Sequence, residues 1–66
     1  MKKYEHLYQR MKKEKDTYRT LGSYLGITYV SVCKKMNGQN EWNLSEVRLL
    51  IKRYKEPLDK LFEETN

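Results

Sequence analysis

Leu21-Gly22-Ser23-Tyr24-Leu25-Gly26-Ile27-Thr28-Tyr29-Val30-Ser31-Val32-Cys33-Lys34-Lys35-Met36-Asn37-Gly38 decides how this 66-residue chain is read. Thr17 is a good N-cap, because its hydroxyl can accept a bond from an orphan N–H of the first turn. From Tyr18, apolar Leu21 and Leu25 follow on one helical face. Gly26 then stands where a helix end adopts a left-handed residue. Thr28 caps the next helix, so only about three residues join the two, and the angle between them is steep. Gly22 lies four residues before the turn, where a missing side chain lets two backbones approach. Val32 plugs the crossing, with Leu21, Leu25, Ile27 and Met36 buried around it. Asn37-Gly38 closes the second helix, since both residues tolerate positive φ. The spacing predicts helices over about 18–25 and 29–36.

Outward from this pair the pattern stays helical. Tyr4, Leu7, Tyr8 and Met11 form a stripe on a first helix over about residues 3–14. On it, His6 reads as a surface residue. Residues 40–43 form a loop holding Trp42, which reads as core. Asn43 and Glu46 are spaced as a capping box. They open a fourth helix with Leu44, Val47, Leu50, Ile51 and Tyr54 inward and Arg48, Lys52, Arg53 and Lys55 outward. Pro57 suits the first position of a fifth helix over about 57–64. That helix puts Leu58, Leu61 and Phe62 on one side. No segment alternates as a strand does. The expectation is one all-α domain of five short helices spanning residues 1–66.

Composition removes several function classes. One Cys and one His leave no intramolecular disulfide and no metal cage. The longest apolar run is Leu49-Leu50-Ile51, too short to span a membrane. Met1-Lys2-Lys3 is followed by no apolar signal core. The expected location is therefore the cytoplasm, with Cys33 a reduced, unreactive spacer. There is no Gly-rich phosphate loop and no nucleophile–base pair, so no enzymatic activity, cofactor or small-molecule substrate is expected. Glu63 and Glu64 read as solvated.

Charge is distributed unevenly. The chain carries +5 overall. Residues 1–38 hold nine Lys/Arg against three Asp/Glu, and residues 39–66 hold five against six. A basic first part suits a polyanion. A membrane surface fits poorly, because the Tyr-rich stripe of the first helix is needed by the core.

The quoted stretch resembles the Cro/C1-type (XRE) helix-turn-helix regulators of bacteria and phages. The matching residues are Gly22, Gly26, Ile27, Thr28, Val32, Asn37 and Gly38. Trp42, the cap at 43–46 and Leu61-Phe62 extend the likeness to small phage-encoded repressors, over about residues 4–62. Two positions depart from the pattern. Ala is usual at Gly22, and Gly there weakens its helix by about 1 kcal/mol. An aliphatic residue is frequent at Lys35, so Met36 is expected to take over that packing.

The resemblance implies a five-helix lambda-repressor-like DNA-binding domain, with the helix from Thr28 lying in the major groove of an operator. It implies base contacts from Thr28, Tyr29, Val30, Ser31 and Lys34, with Cys33 and Asn37 also facing outward. Lys34 can donate to guanine O6 and N7, and Val30 can meet a thymine methyl. Phosphate contacts are implied for Thr17, Tyr18, Arg19, Lys35, Asn37, Gln39 and Asn40. Tyr29 either reaches DNA or packs on the preceding helix, and Lys34 and Lys35 either read DNA or form a solvated face. A module this small is expected to act as a homodimer. Leu58, Leu61 and Phe62 either build that dimer or belong to the core. The competing function on the same fold is a protein-binding adaptor of antitoxin or anti-repressor type.

Overall fold

The computed structural model describes residues 3–64, which form five helices and no strand. They are α1 (Glu5–Lys13), α2 (Tyr18–Leu25), α3 (Tyr29–Met36), α4 (Leu44–Tyr54) and α5 (Leu58–Leu61). The all-α expectation holds. α2 and α3 begin and end as their caps indicate, while α1 and α5 are shorter than expected. Pro57 sits just outside α5 as its N-cap rather than at the first helical position.

The core consists of Leu7 and Met11 from α1, Leu21 from α2, Val32 and Met36 from α3, Leu50 and Tyr54 from α4, and Leu61 from α5. Every helix thus contributes at least one fully or almost fully buried side chain. In so short a chain the apolar burial is limited, and each of these residues carries a large share of it. Tyr4, Trp42 and Phe62 close one end as three edge-to-face pairs, with centroids 5.8–6.5 Å apart. Trp42 is half-buried there and packs against the core, and Lys35 Nζ lies 5.9 Å from its ring centroid.

The α2–α3 corner is built from backbone. Gly26 adopts φ 78°, and the Gly22 carbonyl accepts bonds from the Gly26 N–H and, at 2.9 Å, the Ile27 N–H. This closes the helix end in the left-handed manner. A Cβ on Gly22 would stand 2.7 Å from the Ile27 carbonyl oxygen and 3.3 Å from Tyr29 N. The close approach expected of Gly22 is therefore present, and the contact is backbone on backbone. The expectation for Asn37 differs in detail: it keeps φ −90°, and only Gly38 turns to 81°.

Two residues of α4 and one of α1 lie elsewhere than expected. Leu44 is 65% exposed rather than inward. It is the first residue of α4, ahead of the turn that the core reaches. Arg53 points inward to Asp16, with its Nε and Nη2 donating at 3.0 and 2.7 Å to the two carboxylate oxygens. His6 is not a bare surface residue, because its Nε2 lies 2.6 Å from Glu56 Oε1. Arg10 approaches the other oxygen of Glu56 at 2.6 Å and donates to the Tyr54 carbonyl at 3.0 Å. These polar contacts tie α1 and the turn after it to the end of α4.

Candidate nucleic-acid interface

α3 has two unlike faces. Val32 and Met36 are completely buried against the rest of the domain. Tyr29 and Val30, on the first turn, are 47% and 46% exposed, large apolar side chains left in water. Thr28 and Lys34 are also exposed, while Ser31 and Cys33 are half-buried. Cys33 Sγ takes a 3.6 Å contact from the Asn37 side-chain amide. The protruding surface is therefore Thr28, Tyr29, Val30 and Lys34, with Ser31 recessed between them.

The cap fixes hydroxyl directions on this surface. Thr28 Oγ1 accepts from the Ser31 N–H at 3.2 Å and donates to Ser31 Oγ at 3.1 Å. The Ser31 hydroxyl proton is then left to donate outward. At the start of α2, Thr17 and Thr20 form a reciprocal capping box, each side-chain oxygen taking the other's N–H at 3.1 Å. Their hydroxyl oxygens lie 2.7 Å apart. Thr17 is thus occupied in capping. The N–H groups of Tyr18 and Arg19, in the first turn, have no intrahelical acceptor, which makes that end favourable for an anion. Arg19 is exposed, and its guanidinium lies over the Tyr29 ring, 4.5 Å from the centroid.

The far flank is the turn after α3. Lys34 carbonyl accepts from Gln39 N–H at 2.9 Å and Asn40 N–H at 3.4 Å. The side chains of Asn37, Gln39 and Asn40 remain exposed.

Not every residue assigned to DNA from sequence reaches this surface. Lys35 turns away from it and donates to Glu46 Oε1 at 2.5 Å, with its side chain 13% exposed. Glu46 is buried, so it needs a cation close by, and Lys35 is consumed in that role. The Tyr18 hydroxyl oxygen is buried, which removes it from phosphate reach in this conformation. On α5, Leu61 is completely buried and belongs to the core rather than to an interface. Phe62 is half-buried in the aromatic cluster. Of that trio only Leu58, 54% exposed, stands in solvent.

The electrostatics separate two kinds of base. Among the described residues, Lys3, Arg10, Lys35 and Arg53 are ion-paired with carboxylates. No carboxylate partner is found among them for Arg19 or Lys34, nor for Lys12, Lys13, Lys15, Arg48, Lys52, Lys55 and Lys60 on other surfaces. The surface bearing Arg19 and Lys34 keeps its positive charge for an outside partner. Sequence reasoning left open that Tyr29 packs on the preceding helix but did not name Arg19 as its partner, although a steep turn that brings together the first turns of both helices is the signal for it. It missed the Asp16–Arg53–Tyr54 group. That pairing joins positions 37 and 38 residues apart, for which no local pattern exists.

Among the described residues no group of His, Cys, Asp and Glu is arranged to hold a metal, and no helix is long and apolar enough to cross a membrane. No curated protein and no solved structure matches the chain. Residues 4–66 match the BetR domain model, so this five-helix chain, with its helix-turn-helix in keeping with a DNA-binding regulator, belongs to the BetR domain family.

Proposed function

We propose that this protein is a sequence-specific double-stranded DNA-binding transcriptional regulator of the Cro/C1 type, acting in the cytoplasm as a homodimer. The observation that carries the reading is the division of α3. One face is locked into the core by Val32 and Met36, and the other presents Tyr29, Val30 and Lys34 to solvent. A helix that only supported the fold would gain nothing by exposing two large apolar side chains beside an unpaired lysine. A helix lying in the major groove uses all three kinds of contact.

In this reading α3 enters the groove, with Thr28, Val30, Ser31 and Lys34 toward base edges and Tyr29 beside them, its ring against the Arg19 guanidinium. The N–H groups of Tyr18 and Arg19 with the Arg19 side chain on one flank, and Asn37, Gln39 and Asn40 on the other, meet phosphates and set the register. Two copies place their α3 helices about 34–36 Å apart, one turn of the duplex.

The test is affinity for a duplex measured across a salt series. Phosphate-driven association gives a steep fall of log K with log salt, the slope rising with the number of neutralised phosphates. A slope near zero ends the reading. The same outcome, together with a protein partner lost on Lys34→Ala, supports the adaptor function instead.

A further inference from the structure

Arg19 and Tyr29 hold each other across the helix-turn-helix without a hydrogen bond. Arg19 is the second residue of α2 and Tyr29 the first of α3, and the guanidinium carbon lies 4.5 Å from the ring centroid. Two of the other three arginines show what is unusual about this, Arg48 being exposed with neither a carboxylate nor a ring against it among the described residues. Arg10 lies against Glu56 at 2.6 Å, and Arg53 gives its fork to Asp16 at 2.7 and 3.0 Å. Arg53 also covers a ring, that of Tyr24 at 4.7 Å, but its charge is met by the carboxylate. A carboxylate orients a guanidinium and neutralises it together. An aromatic face orients it through the ring quadrupole and leaves both the charge and the N–H donors available. Among the described residues neither Arg19 nor the Tyr29 hydroxyl has a hydrogen-bond or ion-pair partner.

We infer that Tyr29 is a positioning residue for Arg19: its ring holds the guanidinium beside the first turn of α2, where it meets a DNA phosphate already in place. This rests on the DNA-binding reading above and adds to it. It assigns the main contribution of Tyr29 to its ring face rather than to a base contact by its hydroxyl. A long arginine that is free in solution loses rotamer freedom when it binds, and one held over a ring has lost much of that freedom beforehand. The ring also ties the phosphate-contacting helix to the start of the reading helix, so the two kinds of contact share one register.

The experiment compares Tyr29→Phe, Tyr29→Leu, Arg19→Ala and the double variant Arg19→Ala/Tyr29→Leu. The probe is a duplex that the wild-type protein selects from a randomised pool. Both side chains are exposed, and matching thermal melts establish that each variant folds. Tyr29→Phe keeps the ring and binds within about twofold of wild type. Tyr29→Leu weakens binding about two- to fivefold, the range of an exposed cation–π contact. Arg19→Ala weakens it further and lowers the salt slope by about one. The double variant binds no more weakly than Arg19→Ala alone, because the ring acts through the arginine. A DNA-free readout accompanies this: the Arg19 side-chain protons are shifted upfield by the ring current in wild type and Tyr29→Phe, and return to ordinary values in Tyr29→Leu. Losses that multiply in the double variant, or a Tyr29→Phe protein as weak as Tyr29→Leu, overturn the positioning role alone. A wild-type protein with no salt-dependent binding overturns the DNA reading and this inference with it.

Discussion

Asp16, in the turn between α1 and α2, accepts both ends of the Arg53 fork from α4 and, at 2.6 Å, the hydroxyl of Tyr54. Its side chain is 4% exposed and that of Arg53 is 30% exposed. One carboxylate therefore fixes the start of the helix-turn-helix against the fourth helix. Asp16→Ala leaves a half-buried guanidinium and a largely buried hydroxyl without their acceptor. The expected cost is about 2–3 kcal/mol, at the low end for a broken buried pair because Arg53 can turn partly to water. A thermal melt should fall by roughly 10–20 °C for a domain this small. A change of only a degree or two would show that the group contributes little.

The same group sets limits to stability at both ends of the pH scale. The Arg53 hydrogen bond, with help from the Tyr54 hydroxyl, holds the Asp16 carboxyl below its ordinary range, against the effect of burial. A depressed carboxyl stabilises the fold above its unfolded value of about 3.9, and that stabilisation is lost as pH falls through the lower folded value. Burial, followed by the bond to Asp16, pushes the Tyr54 hydroxyl up. Its contribution is complete below about pH 10 and is lost as pH rises through the raised value. Urea midpoints measured across pH should fall at both extremes. Asp16→Asn should flatten the acid limb, and Tyr54→Phe the alkaline one.

The part of the fold legible in the sequence is the part fixed by neighbours along the chain. Thr17, Thr28 and Asn43 cap where they should, because an N-cap needs only its own side chain and the next three residues. Gly26 ends α2 for a similarly local reason. The ends of α1 and α4 were harder to read, since Lys15 and Lys55 adopt φ 61° and 54° where glycine would have marked the turn. At the first of these ends Asp16 N–H bonds the Met11 carbonyl at 2.8 Å and Lys15 N–H the Lys12 carbonyl at 3.0 Å. The charged residues were the least legible. Lys34 and Lys35 are adjacent and identical in type, yet one is exposed and the other serves a buried glutamate from a different helix. Periodicity gives the angle between them but does not supply the partner.

Gly22 and Gly26 should fail differently when replaced. A Cβ at Gly22 meets the Ile27 carbonyl at 2.7 Å, while at Gly26 there is open space and the constraint is φ 78°. Gly22→Ala gains about 1 kcal/mol of helix propensity but must spread two backbones, an overpacking cost of about 1–3 kcal/mol. The expected net effect is destabilising by about 1 kcal/mol, with Gly22→Ser no better. Gly26→Ala costs about 1 kcal/mol through backbone conformation alone. Gly26→Asn should recover most of it, because Asn tolerates that region. Chemical denaturation of the four variants distinguishes the mechanisms. Rescue by Asn at 26 without rescue by Ser at 22 is the expected pattern.

Lys34 and Lys35 should separate binding from stability. Lys34→Ala is expected to leave the melting temperature within a degree or two, to weaken binding by about 1–3 kcal/mol and to relax the base preference at the position it reads. Lys35→Met is expected to do the reverse. It strands Glu46, whose carboxylate then keeps the 3.1 Å bond from Asn43 N–H without a cation beside it. The cost is about 1–3 kcal/mol with the slope unchanged. Adding Glu46→Gln to Lys35→Met should restore part of the loss, since a neutral amide is cheaper to bury than an unpaired carboxylate. A salt slope that falls with Lys35→Met in a fully folded protein would return Lys35 to the phosphate-contacting set.

Leu58 and Leu61, three positions apart on α5, provide the test of self-association. Leu61 is wholly buried and Leu58 is 54% exposed. Leu61→Ala should cost about 2–5 kcal/mol as a core cavity whatever the oligomeric state. Leu58→Glu places a charge in solvent, so the fold of the monomer should change by no more than about 0.5 kcal/mol. If the homodimer forms through α5, that charge faces its own copy, and sedimentation should show the dimer dissociating at concentrations where wild type remains paired. DNA affinity should then fall toward that of a single half-site. A dimer that survives Leu58→Glu unchanged would place the interface on another surface.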